Sequence, residues 1–217
     1  FVKQIPYFSK RYKVVVADSR AQGKSVDKND SLTYEMMADD YAALLNALKI
    51  DSANVIGWSD GGINGLLLTI RHPGKVKKLV ITGANLQPDS SAVEPDILKN
   101  ITKTYNMFEG WFKEPRAKTP LDSTVFKYFK LLAEQPHILL SDLHKISVPT
   151  LVIGGDHDVI RPAHTLQIFE NIRNAYLWIL PNSGHSTLIA YTDEFNDKVG
   201  TFLNSPYRKI QERSRFF

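Results

Sequence analysis

Ser59, an aspartate at 156 or 158, and His185 stand in an order and in local contexts that suit nucleophilic acyl transfer. A serine hydroxyl is a weak nucleophile at neutral pH, so the chemistry needs a base to take its proton and a third group to orient that base. The sharpest pattern is Gly57-Trp58-Ser59-Asp60-Gly61-Gly62, a G-x-S-x-G run directly after an apolar stretch and directly before a helix-period segment. A serine on such a strand-to-helix turn has a strained backbone, and Gly57 and Gly61 are expected to supply the room that side chains would fill. The turn lifts the hydroxyl above the sheet, and the Asp60 N–H is the expected first donor to an oxyanion formed there. The base and its orienting acid are expected further on, in Asn182-Ser183-Gly184-His185 and Gly155-Asp156-His157-Asp158. At this point both Asp156 and Asp158 are candidates for the acid. The same aspartates with His157 also have metal-ligand character, but no second cluster completes a site, and no metal is expected. His72, His137, His144 and His164 read as surface or helix-end histidines.

These residues need a frame that brings them together across separations of 99 and 27 residues. Five short apolar runs rich in β-branched residues supply one: residues 13–17 (KVVVA), 54–57 (NVIG), 78–82 (KLVIT), 150–154 (TLVIG) and 175–180 (AYLWIL). Their continuous hydrophobicity is that of strands buried on both faces, and alternation with helix-period segments predicts a parallel sheet in an α/β fold. Helices are predicted over 34–48, capped by Thr33, over 61–71, 163–172 and 193–203. Sites in such sheets form at the C-terminal strand ends, where Ser59, Asp158 and His185 all fall. Residues 89–145 interrupt the rhythm without a convincing strand, and Ile97, Ile101, Tyr105, Phe108 and Phe112 share one helical face. That stretch is read as a helical cap inserted into a core made of residues 1–88 and 146–217. No internal repeat is evident.

Composition narrows the class. The 217 residues are 43% hydrophobic and 23% charged, enough for one sizeable core and against disorder. No run of about 18 uncharged apolar residues offers a membrane span. The net charge of +4 is concentrated at the end: residues 206–217 contribute +3 through Arg208, Lys209, Arg213 and Arg215 against Glu212. The rest is near neutral, which argues against a nucleic-acid surface. With no cysteine, thiol catalysis, disulfides and Cys-ligated zinc are excluded. A cytoplasmic location is the default expectation, and oligomeric state is not legible.

The motifs together resemble the α/β-hydrolase superfamily over essentially the whole chain. Asp18-Ser19-Arg20-Ala21-Gln22-Gly23-Lys24-Ser25 is similar to that family's D-x-R-G-x-G-x-S stretch, with Ala21 in place of a glycine. Within the superfamily, Gly57 to Ile63, Gly83-Ala84-Asn85 and Asp193-Glu194-Phe195-Asn196 resemble the valacyclovir hydrolase (biphenyl hydrolase-like) group. The resemblance implies an α/β-hydrolase fold with a helical cap, a Ser59–His185–Asp158 triad at a nucleophile elbow, no cofactor, and a small-molecule ester as substrate. It favours Asp158 over Asp156, because Pro162 lies four residues beyond it as in the family pattern. At the subgroup level it implies α-amino acid esters, with Asp60 contacting the substrate ammonium; the plainer reading of Asp60 is a helix-capping carboxylate. Trp58, Phe108, Trp111 and Phe112 are candidate pocket residues, although aromatic residues at helical spacing more often pack than bind.

One departure stands at the front. The chain opens Phe1-Val2-Lys3, and the family's first three strands, with the His-Gly loop that gives the second oxyanion donor, have no counterpart here. In the family's strand order the third strand lies between the fourth and fifth, so a gap beside the nucleophile strand is expected, as is an N-terminally truncated chain whose activity is reduced. A serine at position 59 argues against members that use a carboxylate nucleophile. The rival readings are a general carboxylesterase or other acyl hydrolase, and a binding module that keeps the fold but turns over slowly.

Overall fold

The apolar runs beyond residue 50 lie side by side in the computed structural model, which describes residues 1–29, 31–115 and 117–208. They form β1 (Ala53–Trp58), β2 (Val76–Thr82), β3 (Thr150–Gly155) and β4 (Ala175–Leu180), one parallel sheet in the order β1-β2-β3-β4. In chain order the helices are α1 (Gln4–Phe8), α2 (Tyr34–Ala47), α3 (Asp60–Arg71), α4 (Pro95–Lys113), α5 (Pro120–Glu134), α6 (Leu140–Leu143), α7 (Pro162–Asn171), α8 (Thr187–Ala190) and α9 (Thr192–Asn204). Parallel neighbours need crossovers, and α3 and α7 make them between β1 and β2 and between β3 and β4. The Thr33 hydroxyl accepts the Met36 N–H at 3.2 Å, capping α2.

Strand alternation feeds two cores. Leu79, Ile81 and Val152 point toward Met37 and Ala38 of α2, Leu66 to Leu68 of α3 and Ile168 of α7. Val80, Leu151 and Ile153 point the other way, toward Phe8 of α1, Leu188 of α8 and Phe195 and Val199 of α9. Each such leucine or isoleucine contributes about 1.5–3 kcal/mol of burial, and together they hold the strand ends that carry the site.

The expected strand over residues 13–17 does not form. No described strand pairs with the segment, and Val15 and Val16 are 42% and 62% exposed. Only Tyr12 and Val14 lean on the α9 side of the core. Valine-rich composition supplies propensity, whereas a strand requires a neighbour to take its N–H and C=O groups, and β1 pairs with β2 alone.

Residues 89–145 hold α4, α5 and α6, with a single antiparallel bridge from Val93 to Ile160 outside them. α4 buries no residue fully and α5 only Leu131. Stacked rings join the two: Phe108 on Phe129 at 4.9 Å between centroids, Phe112 on Phe126 at 4.5 Å. An ionic pin ties α5 to the loop before α2. The Asp27 side chain, 1% exposed, meets Lys127 Nζ of α5 at 2.6 Å and Arg20 Nη1 at 3.3 Å. Burial raises the Asp27 carboxyl, but Lys127, the Asn29 N–H and Arg20 outweigh it and hold the group below its ordinary value. No helix among the described residues is long and apolar enough to cross a membrane. Most of the basic tail, residues 209–217, lies outside the described residues.

A buried histidine fastens the connection after β2. His164, 3% exposed, accepts the Leu86 N–H through Nε2 at 3.0 Å, so its proton sits on Nδ1. Burial lowers its pKa from 6.5 to about 4, against the pull of Asp89 and Gln167. The unfolded chain therefore binds a proton that the folded chain refuses across that window. Stability is complete above the unfolded value and falls as the pH drops through the window, by about 3 kcal/mol from this group. Urea unfolding at pH 6.5 and 4.5, which spans most of the window, should show about 2 kcal/mol of this loss in the wild type and less in His164→Gln; equal losses would remove His164 as the cause.

Candidate active site

Ser59 stands between β1 and α3 with φ 55° and ψ −121°, a left-handed conformation that costs on the order of 1–3 kcal/mol for a non-glycine residue. Its N–H donates to the Thr82 carbonyl at 2.9 Å, and its own carbonyl accepts from Gly62 and Ile63 at 2.8 and 3.1 Å. The room this turn needs comes from one glycine rather than two. A Cβ on Gly57 would run into the Gly61 carbonyl, whereas a Cβ on Gly61 would meet nothing within 4 Å. The expectation that both positions must lack a side chain is therefore corrected: Gly61 matters through the carbonyl it brings against Gly57.

The three residues singled out for chemistry meet at the C-terminal ends of β1, β3 and β4. His185, between β4 and α8, places Nε2 2.9 Å from Ser59 Oγ. Its Nδ1 lies 2.7 Å from Asp158 Oδ1, whose side chain is fully buried and also accepts the Ile160 N–H at 3.1 Å. Asp156 points elsewhere. Its carboxylate accepts the N–H groups of Asn182 and Ser183 at 2.9 and 3.0 Å and pairs with His157 at 2.8 Å, an arrangement that holds it down to about 2, the His157 bond first. Asp156 thus anchors the loop that carries His185.

Three further contacts hold that loop, and local sequence patterns did not announce them. The Trp58 indole N–H donates to the His185 carbonyl at 2.8 Å, so this expected pocket residue clamps the histidine backbone. Gly83, at φ +62°, lies against the imidazole, where a Cβ would fall 2.7 Å from His185 Cε1. A Cβ on Gly155 would strike the Ser183 carbonyl. The advance signals were their position at strand ends and their place in motif runs, Trp58 and Gly155 in the serine and aspartate motifs and Gly83 in Gly83-Ala84-Asn85, none of which announced these contacts.

Asp60 opens α3 with its side chain turned inward. Its Oδ1 accepts the Tyr34 hydroxyl at 2.8 Å. Burial raises the carboxyl above its ordinary value, opposed by the Tyr34 bond and by nearby His185. Phe108 and Phe112 serve the α4–α5 packing by stacking on α5, and Trp111 sits edge-on to Phe108 of its own helix, with Lys118 over its ring. Among the described residues, no group of three or more His, Asp or Glu could hold a metal ion.

The sequence model of the α/β hydrolase fold matches residues 1–137. The chain belongs to that family. Serine hydrolase BPHL of Mus musculus is 30% identical over 205 residues, 89% of this chain and 70% of that protein. The 2-hydroxymuconate semialdehyde hydrolase of Pseudomonas sp. (strain CF600) is 26% identical over 224 residues, 92% of this chain and 79% of that protein. Among solved structures, MGS-M2, an α/β hydrolase enzyme from a deep-sea metagenome library, superposes with a TM-score of 0.75 at 20% identity, covering 95% of this chain and 85% of that one. The α/β hydrolase fold read from the sequence is thus the fold observed, and the protein stands among hydrolytic enzymes.

Proposed function

We propose that this α/β hydrolase cleaves carboxylic esters by two-step acyl transfer, and that its preferred substrates are esters of α-amino acids. The observation that carries the reading is the hydrogen-bonded relay from Ser59 Oγ through His185 to Asp158. In the first step Ser59 Oγ attacks the ester carbonyl while His185 Nε2 takes its proton. The tetrahedral intermediate collapses as His185 returns that proton to the departing alkoxide, leaving an acyl-serine. Water then repeats the sequence, with His185 as base, and frees the acid. Asp158 keeps the proton of the resting imidazole on Nδ1 and stabilises the imidazolium. The Asp60 N–H, at the start of α3, is the oxyanion donor this chain supplies. Residues 89–145 act as the cap over the site.

The finer reading rests on Asp60. A carboxylate next to the nucleophile opposes the negative charge of the intermediate, so its presence asks for a compensating cation. No lysine or arginine among the described residues pairs with it; its one hydrogen-bond partner is a phenol. A substrate ammonium fits that vacancy in charge.

A fluorophosphonate probe should modify Ser59, located by peptide mass spectrometry, and His185→Ala should prevent the labelling. Continued labelling elsewhere in Ser59→Ala would sink the nucleophile assignment. Given labelling, aminoacyl and uncharged p-nitrophenyl esters of similar size separate the substrate classes. The aminoacyl ester should be preferred by wild type and the preference lost in Asp60→Asn, by about tenfold or more in kcat/KM. Equal turnover of both esters in the wild type would make this a general carboxylesterase.

A further inference from the structure

The Asp60 carboxylate is gripped from one element and faced from another. Tyr34, the first residue of α2, is 1% exposed and donates its hydroxyl to Asp60 Oδ1. A phenol that buried must find an acceptor, and this carboxylate is the one it has. The Tyr34 backbone N–H turns instead to Gln135 Oε1 at 3.4 Å, at the C-terminal end of α5. Tyr128 of the same α5 is half-buried, and its hydroxyl is near enough to feel the Asp60 charge. Asp60 Oδ2 has no partner among the described residues.

A carboxylate rotates broadly about its last torsion unless something holds it. Left free beside Ser59, Asp60 could swing toward the oxyanion or spread its charge over solvent. We propose that Tyr34 is a positioning residue: its phenol fixes the Asp60 carboxylate so that Oδ1 is occupied and Oδ2 is presented to the substrate ammonium, making a buried core tyrosine a determinant of ester specificity. The proposal rests on the aminoacyl-ester reading of Asp60 and adds to it a second residue on a different helix. Tyr34 touches no reacting atom, so its effect is confined to substrates that carry the cation.

The test is Tyr34→Phe, which keeps the ring and removes only the hydroxyl, measured beside Asp60→Asn on matched aminoacyl and uncharged esters. Tyr34→Phe should raise KM for the aminoacyl ester about tenfold, with kcat and both parameters for the uncharged ester within about twofold. The pH profile gives a readout that a structural defect would not mimic. The titratable groups facing Asp60 are Tyr34 and Tyr41 of α2, Tyr128 of α5 and His185. The tyrosines stay neutral, and His185 serves both esters alike, so the uncharged ester is the reference. Losing the phenol donor should move the acid limb of kcat/KM for the aminoacyl ester upward, and leave the reference limb in place. Equal losses on both esters would make Tyr34 a structural residue and overturn the proposal. An unchanged KM ratio in Tyr34→Phe, with the preference abolished in Asp60→Asn, would overturn it while leaving the aminoacyl-ester reading intact. A preference that survives Asp60→Asn would overturn that reading and this proposal with it.

Discussion

Asp158→Asn should lower kcat by about four orders of magnitude without unfolding the protein, whereas Asp156→Asn should spare most of the chemistry. Asp158 Oδ1 receives two donors, His185 Nδ1 at 2.7 Å and the Ile160 N–H at 3.1 Å, while Oδ2 is buried with no partner. An asparagine has no good way to sit there. With its oxygen toward His185, the amide NH2 falls where Oδ2 was and finds no acceptor; with the NH2 toward His185, the imidazole is forced into the tautomer that carries its proton on Nε2 and cannot act as base. Either outcome also removes the negative charge that stabilises the imidazolium. Steady-state turnover of a p-nitrophenyl ester, with circular dichroism as a check on folding, decides the matter. If Asp158→Asn kept more than about a tenth of kcat while Asp156→Asn lost it, the acid role would pass to Asp156.

The second large effect concerns the two glycines of the serine turn, which one motif presents as equivalent. Gly57→Ala should cost about 3 kcal/mol in stability and most of the activity, because its Cβ would press on the Gly61 backbone, which cannot move without unwinding the start of α3. Gly61→Ala should change stability by no more than about 0.5 kcal/mol, because its Cβ enters open space in a helix. Thermal unfolding of the two variants tests the contrast directly. Equal destabilisation would mean that the crowding is shared and that the asymmetry drawn here is wrong.

Much of this arrangement was legible because its signals are local. An apolar run, G-x-S-x-G and a helix period follow one another within the short span of β1 and α3, and Asp158 and His185 each trail an apolar run of their own. The four strands that formed are those with a parallel neighbour; residues 13–17 carry the same composition without one, and composition does not record pairing. The contacts that steady the site were not legible, for a related reason. Asp156 reaching the Asn182 and Ser183 amides, Trp58 reaching the His185 carbonyl and Tyr34 reaching Asp60 all join residues from separate motifs. Each uses a side chain whose local surroundings suggest something plainer: a turn, a pocket wall, a core ring. Phe108 and Phe112 show the converse, since helical spacing announced a shared face and the face is shared with α5.

The thin burial of α4 and α5 bears on how this protein can change. With no fully buried residue in α4 and one, Leu131, in α5, the pair draws little of its stability from the sheet, and its ties to the rest include Leu131 in the core, the Asp27–Lys127 pin and the Tyr34 N–H on Gln135. Elements so attached open at lower free energy than a central sheet and exchange their amide protons sooner. They can also accumulate substitutions without lowering the melting point of the part that holds Ser59, Asp158 and His185. Change in α4 and α5 is thus thermodynamically insulated from the strand ends that carry those three residues.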